Sequence, residues 1–326
     1  MHSHPPYANT TFNNSDEIRI PIQTQDIYTL PCNSSLYIEG RLVEAKEKKW
    51  SPTLRLVNNF VSFLFDELRY EIGGIVVDRV RNPGITTTIK GLVSFTNNEG
   101  NSYQHAGWNH QDLPEIRNSE GYFSVTIPLK NLMGFFEDFK KVLINIRQEL
   151  VLIRSSTDVN AIITSTSSEK PHLDLYRILW RIPHIQVADT EKLHLMKYIE
   201  KGRDLQLAFR SWELHEYPVL QQTNKHTWNV KATNQLEKPR FVIVAFQTDR
   251  KGQLTKNLSH FDHCNLSNIK LFLNSEIYPY DNSVFKHDPS IHPQHYHNVQ
   301  KDNNNNNTIA IAKQWRERER EQKINI

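Results

Sequence analysis

The chain has 326 residues, enough for one large or two medium domains. Its 39 basic and 36 acidic residues leave a formal charge of +3, too even a balance to point to nucleic acid or a membrane surface. Only 11 glycines argue against Gly-rich phosphate loops, and no run of about 18 apolar residues offers a transmembrane helix.

Residues 1–15 hold His, Pro, Asn and Thr with almost nothing to bury, and read as a disordered arm. The arm has no basic start and no apolar core, so it is no signal peptide. Cys32 and Cys264 are far apart and belong to no framework, which reads as a reduced, intracellular protein.

Structure is expected from Asp16. Ile18, Ile20 and Ile22 alternate with polar positions, and Pro21 marks that strand as an edge. Leu36–Ala45 reads as a second strand. The apolar stretch from Phe60 to Ile72 reads as strand in preference to helix, with Gly73-Gly74 as a hairpin turn and Ile75–Val80 returning. Asn82-Pro83-Gly84 is a turn, and Ile85–Phe95 fits either a short helix or a strand. Asn97–Ser119 is polar and reads as a long loop.

Tyr122–Ile127 is a strand closed by Pro128. Leu129, Leu132, Met133 and Phe136 then fall at helical spacing and are expected to face the core. Val142–Ile146 and Glu149–Arg154 are strands, Ser155–Pro171 a Ser/Thr-rich loop, and Asp174–Val187 a strand bent at Pro183. A helix capped by Asp189 and carrying Leu193, Met196 and Ile199 ends near Gly202 and separates two β-modules. Beyond it, Leu205–Tyr280 holds a fresh set of short aromatic and β-branched segments. Arg240–Phe246 (RFVIVAF) is so continuously apolar that both its faces are expected to be covered. Residues 281–326 are a low-complexity tail with His/Pro-rich, Asn-run and Arg/Glu segments.

Chemistry-bearing patterns are few. His287, His292, His295 and His297 lie in that tail without a carboxylate or Cys spacing that completes a metal site. Asp262-His263-Cys264 brings an acid, a base and a thiol together, but neighbours on a strand point to opposite faces; Cys264 is expected buried and His263 exposed. Trp212, Trp228 and Tyr217 are candidates to stack on a sugar or on bases, with core packing as the plainer role. HExxH, Walker, GxGxxG, GxSxG and CxxC patterns are missing. No catalytic, cofactor-binding or metal residue is assigned, no cofactor is expected, and the chain reads as a non-enzyme.

Several blocks in order carry a family resemblance. They are Glu67-Leu68-Arg69-Tyr70-Glu71, Asn82-Pro83-Gly84-Ile85, Ile127-Pro128-Leu129, Glu149–Arg154, Phe209-Arg210-Ser211-Trp212-Glu213, Asn234–Arg240 and Phe261–Asn265. With them the chain resembles the double jelly-roll domain proteins of invertebrate genomes. Those are similar to the major capsid proteins of adenovirus-lineage viruses and of Polinton (Maverick) elements. The resemblance implies an all-β chain with short helices, built as two tandem jelly-roll β-sandwiches. It divides the chain into the arm 1–15, a first roll 16–188, a second roll 189–280 and the tail 281–326. It also implies a virus-derived structural protein that self-associates as a homotrimeric, pseudo-hexagonal capsomer. No membrane, no strong nucleic-acid binding and no small-molecule substrate are expected. Residues 189–280 leave about ninety positions for an eight-stranded roll, so the second roll is expected to be truncated. A β-sandwich glycan- or protein-binding module is the alternative.

Overall fold

The computed structural model describes residues 1–7, 11–23, 27–44, 53–109, 117–165, 171–201, 207–217, 219–220, 223, 225–230, 239–273, 276–278, 280 and 307–315. Eight strands build the first module: β1 (His2–His4), β2 (Glu17–Ile22), β3 (Ser35–Val43), β4 (Phe65–Ile72), β5 (Ile75–Arg81), β6 (Tyr122–Pro128), β7 (Gln148–Arg154) and β8 (His172–Ile182). They form two antiparallel sheets, β1-β8-β3-β6 and β2-β7-β4-β5. Every step along the chain crosses from one sheet to the other except the β4–β5 hairpin. That interleaved order is the jelly roll.

The pattern of side chains explains why the sheets face each other. In β2, Ile18, Ile20 and Ile22 are buried while Glu17 and Arg19 are exposed. In β3, Leu36, Ile38 and Leu42 alternate with half-exposed neighbours. The buried faces of both sheets join one core with Phe60, Tyr70, Phe123, Phe135, Phe136 and Trp180. Pro21 sits on β2, at the edge of its sheet, where a missing N–H leaves no ladder bond unmade. The Gly73-Gly74 turn has φ of +60° and +82°, and glycine takes this left-handed geometry without a Cβ penalty.

Inside the roll, a buried ion pair locks the end of β7. The Arg154 guanidinium donates to Asp158 Oδ1 (2.7 Å) and to the Leu64 carbonyl (2.8 Å), and Asp158 Oδ2 accepts the Leu173 N–H (2.8 Å). Both side chains are almost wholly inaccessible. A second buried chain runs from the Tyr70 hydroxyl to Gln148 Oε1, and from Gln148 Nε2 to Thr29 Oγ1, each 2.8 Å.

Several expectations change here. The arm is not free at its start: β1 pairs His2, Ser3 and His4 with Ile182, Arg181 and Trp180, and Phe12 is buried. A three-residue strand of His and Ser carries no apolar period, so composition hid it. Phe60–Leu64 is a 3-10 turn and not the first part of a strand, because five consecutive buried residues need a turn to reach the core on every side. Pro83–Ser94 is helix α1, with Pro at its first position, which settles the helix-or-strand alternative. The expected loop after it holds helix α2 (Asn97–Ser102), closed by a Thr96–Glu99 capping box, and the buried Trp108. The expected core helix splits into α3 (Leu129–Leu132) and α4 (Gly134–Asp138), with Leu129, Leu132, Met133 and Phe136 all buried as anticipated. Of Val142–Ile146 only Leu143–Ile144 is strand, paired with Tyr28–Thr29.

The second module follows helix α5 (Asp189–Glu200), on which Leu193 and Met196 are exposed. It contributes β9 (Trp212–Tyr217), β10 (Pro239–Thr248), β11 (Leu271–Leu273), β12 (Glu276–Tyr278) and β13 (Asn307–Trp315). The sheet order is β9-β13-β10, with β11 and β12 as a separate hairpin. β10 is an edge strand among the described residues, and Val242–Phe246 are half-buried with Phe241 exposed. The expectation of cover on both faces is corrected accordingly. Asn307–Trp315, read from sequence as part of an unstructured tail, is the middle strand of this sheet. Among the described residues no helix is long and apolar enough to cross a membrane.

Replacing Asp158 by Asn strips the buried Arg154 of its counter-charge. The variant is expected to lose ~3–5 kcal/mol of stability, read as a lower denaturation midpoint in urea with an unchanged slope.

Candidate functional site

The site with most built geometry is the seam that holds the second module on the first. Three distant pieces meet there: α1, α4 and the chain from Leu207 to Trp212. Phe135 on α4 anchors it from below. Its N–H donates to Asp78 Oδ2 (2.9 Å), and its ring lies 4.9 Å from Tyr70, 4.9 Å from Phe139 and 5.3 Å, edge-on, from Phe209. Leu207, Phe209 and Trp212 are all buried and belong to the core of the roll.

Polar contacts fix the register. Asp138 Oδ2 accepts both the backbone N–H and the Nε–H of Arg210 at 2.8 Å, and Oδ1 accepts from Nη2. The fork-to-carboxylate match gives direction as well as strength. Burial alone raises the Asp138 carboxyl pKa, but the Arg210 hydrogen bonds and charge outweigh it, so the group titrates below its ordinary value. Lys90 on α1 donates to Glu137 Oε2 (2.6 Å) and to the Lys130 carbonyl (2.9 Å), and its ammonium lies 5.9 Å from the Trp212 ring centre. At Gly134 a Cβ would stand 1.7 Å from the Arg210 carbonyl oxygen. Only glycine lets the two backbones approach this closely.

The other sequence candidates do not assemble. Asp262 is held by a two-pronged Arg250 contact and by the Thr248 N–H (2.8 Å). His263 Nδ1 accepts the Asn265 N–H (3.0 Å). Cys264 Sγ lies 3.9 Å from the Thr248 hydroxyl; burial pushes its thiol pKa up, and the Asp262 charge adds to this against the Thr248 contact. A raised thiol pKa is the reverse of what a nucleophilic cysteine needs. Cys264 and His263 are both half-buried, so the expected contrast between them is not seen; Cys264 sits in a left-handed turn (φ +47°) where strand alternation does not apply. Trp212 is buried in the seam, and Trp228 is half-buried edge-on to Tyr217 (5.5 Å). His287, His292, His295 and His297 lie outside the described residues. Among the described residues no group of three or more His, Cys, Asp or Glu is arranged to hold a metal ion.

The double jelly-roll-like domain matches residues 54–301, more than half of the chain and across the seam. The chain belongs to the double jelly-roll-like domain family. Two solved structures share the fold of this double jelly-roll protein. PBCV-1 VP54, as fitted into a reconstruction of the virophage Sputnik, superposes with a TM-score of 0.54 at 11% identity, covering 96% of this chain and 83% of its own. A quasi-atomic description of the PBCV-1 virus capsid gives 0.51 at 12% identity with the same coverage. No curated protein matches the chain. The motif block Phe209–Glu213, read from sequence as a family mark, is the strand of chain that docks the double jelly-roll's second module. Its partners Lys90, Glu137 and Asp138 were missed, since nothing in their spacing links them to Arg210.

Gly134→Ala should lift the 207–212 segment from α4. The Arg210 amide is then expected to exchange hydrogen at least tenfold faster, while amides of β4 and β7 keep their rates. The Asp138–Arg210 contribution is present above the ordinary carboxylate range and is lost as pH falls through the depressed Asp138 pKa. Asp138→Asn is therefore expected to cost ~1.5–3 kcal/mol at pH 7 and little at the acid limit, measured by urea denaturation across pH.

Proposed function

We propose that this double jelly-roll protein is a non-enzymatic structural protein of capsid type, derived from a virus-like element, which self-associates as a homotrimer. The observation that carries the reading is the interleaved eight-strand roll, within a chain that a virus-capsid fold covers almost from end to end. A chain with two upright modules and three copies places six modules around one axis, and closed rotational symmetry repeats a single interface without leaving a free end.

Two further features support a structural role. The most developed interior geometry, the Asp138–Arg210 seam, joins modules, and its acid and guanidinium are spent on each other. The acid, base and thiol of Asp262–Cys264 are each engaged by a structural partner. The exposed apolar side chains Leu193, Met196 and Phe241, like Ile75 and Val93 in the first half, offer surface for a neighbouring copy to cover. The free, half-buried thiols of Cys32 and Cys264 fit a reducing interior, and we place the protein inside the cell. In the alternative, a glycan-binding module, Trp228 against Tyr217 is the remaining platform, because Trp212 is committed to the seam.

Light scattering on a sizing column tests the proposal. The full chain is expected to elute with three times the 38.3 kDa chain mass. A well-behaved monomer up to high concentration would reject the trimer, and binding of a glycan array by that monomer would favour the alternative.

A further inference from the structure

Three histidines from opposite ends of the first module meet at the outer edge of its β1-β8-β3-β6 sheet. His4 Nε2 and His184 Nε2 lie 3.2 Å apart, and the His2 ring stacks on His184 with centroids 3.9 Å apart and planes 13° from parallel. His2 and His4 are the ends of β1, a strand of three residues that pairs with Ile182, Arg181 and Trp180 on β8. His184 follows β8 across Pro183 and pairs with Thr29. The contact therefore staples a very short edge strand to the turn beyond its partner.

The geometry separates two readings of this cluster. The His4 and His184 ring centroids are 5.3 Å apart while their Nε2 atoms are 3.2 Å apart, so the two nitrogens face each other nearly along the line between the rings. That is the arrangement of a single N–H···N hydrogen bond. A metal ion needs both lone pairs to converge on a point beside that line, at about 2.0–2.1 Å from each nitrogen. His2 presents its ring face to His184 and not a nitrogen, so it supplies no third ligand.

An N–H···N bond needs one neutral imidazole with a free lone pair, and two imidazolium ions cannot share it. We propose that the His2–His4–His184 cluster is an acid-released latch: it holds β1 on the sheet edge at neutral pH and frees it when the histidines take up protons. The groups acting on His184 are His2, His4 and the Met1 amino group, each a cation when protonated. Nearby charges on packed elements are engaged elsewhere. Arg181 of β8 lies over the Tyr37 ring, Arg19 of β2 is paired with Glu17 and Glu149, and Lys192 of α5 lies over Tyr28. Among the described residues no carboxylate is among the groups acting on His4 or His184.

Burial first, and then those cations, hold the His184 pKa down to about 4, and burial with His2 lowers that of His4. A depressed imidazole favours the docked state above its free value of about 6.5. Between that value and about 4 the released strand binds more protons than the docked one, so docking weakens as pH falls. For His184 the release equilibrium therefore shifts toward the free strand as pH falls from 7.5 to 5.0. Release would uncover the backbone edge of β8 at Trp180–Ile182, a ready template for another strand.

Hydrogen exchange of the full chain tests the latch, with protection factors corrected for the intrinsic pH dependence of exchange. Protection of the amides of residues 2–4 and 180–182 is expected to fall at least tenfold from pH 7.5 to 5.0, while β4 and β7 keep theirs. In the triple variant His2→Phe/His4→Phe/His184→Phe aromatic contact at the edge is kept without an imidazole, and protection at the two pH values should agree within twofold. Unchanged wild-type protection at pH 5.0 would overturn the proposal. So would an equal fall in the variant, or a loss spread over β4 and β7, which is general acid unfolding. If the variant does not fold, His2→Gln is the substitute, and it must reduce the wild-type pH response.

Discussion

Everything beyond the first roll depends on one close approach, that of the Arg210 backbone to Gly134. The carbonyl of Arg210 occupies the place where any other residue at position 134 would put its Cβ. That approach brings the guanidinium onto Asp138, seats Phe209 against Phe135 and buries Trp212 under Lys90. Hydrophobic burial supplies the drive, and the forked ion pair supplies the direction. A bridge of this kind gives little net stability compared with a well-packed apolar contact, but it admits one register only. The second module thus inherits its position from the core of the first, in which α4 is already fixed by Asp78 and Tyr70.

The two modules differ in how they are held internally. The first closes two four-stranded sheets over a single core and locks β7 with the buried Arg154–Asp158 pair. The second has half-buried strands, with β10 at an edge and exposed Phe241. Edges and exposed apolar side chains are normally kept off a monomer's surface. Among the described residues both halves carry them: β1 and β10 are edge strands, and Ile75 and Val93 are exposed in the first half as Met196 and Phe241 are in the second.

Much of this was legible in the sequence where period and burial coincide. Ile18, Ile20 and Ile22, the Gly73-Gly74 turn and the strand Glu149–Arg154 stand as read, because each carries a local signal of alternation or turn chemistry; the helix expected near Asp189 is there too, with Asp189 in its first turn and not as its cap. What was missed has no such signal. β1 is polar and pairs only because β8 offers it an edge. Asn307–Trp315 sits in a biased-composition segment, and its place between β9 and β10 is a tertiary fact. RFVIVAF reads as doubly buried, yet its cover depends on neighbours that its own composition cannot specify. The seam was half legible: the Phe209–Glu213 block was visible as a family mark, but its partners lie 72 residues away for Arg210–Asp138. The family and double jelly-roll expectation agrees with the domain match over 54–301.

The most direct test of the central claim is imaging of the purified full chain by electron microscopy. A capsid-type building block predicts class averages with threefold symmetry and a pseudo-hexagonal outline, six modules around one axis. Particles of single-chain size, or assemblies without a threefold axis, would contradict it.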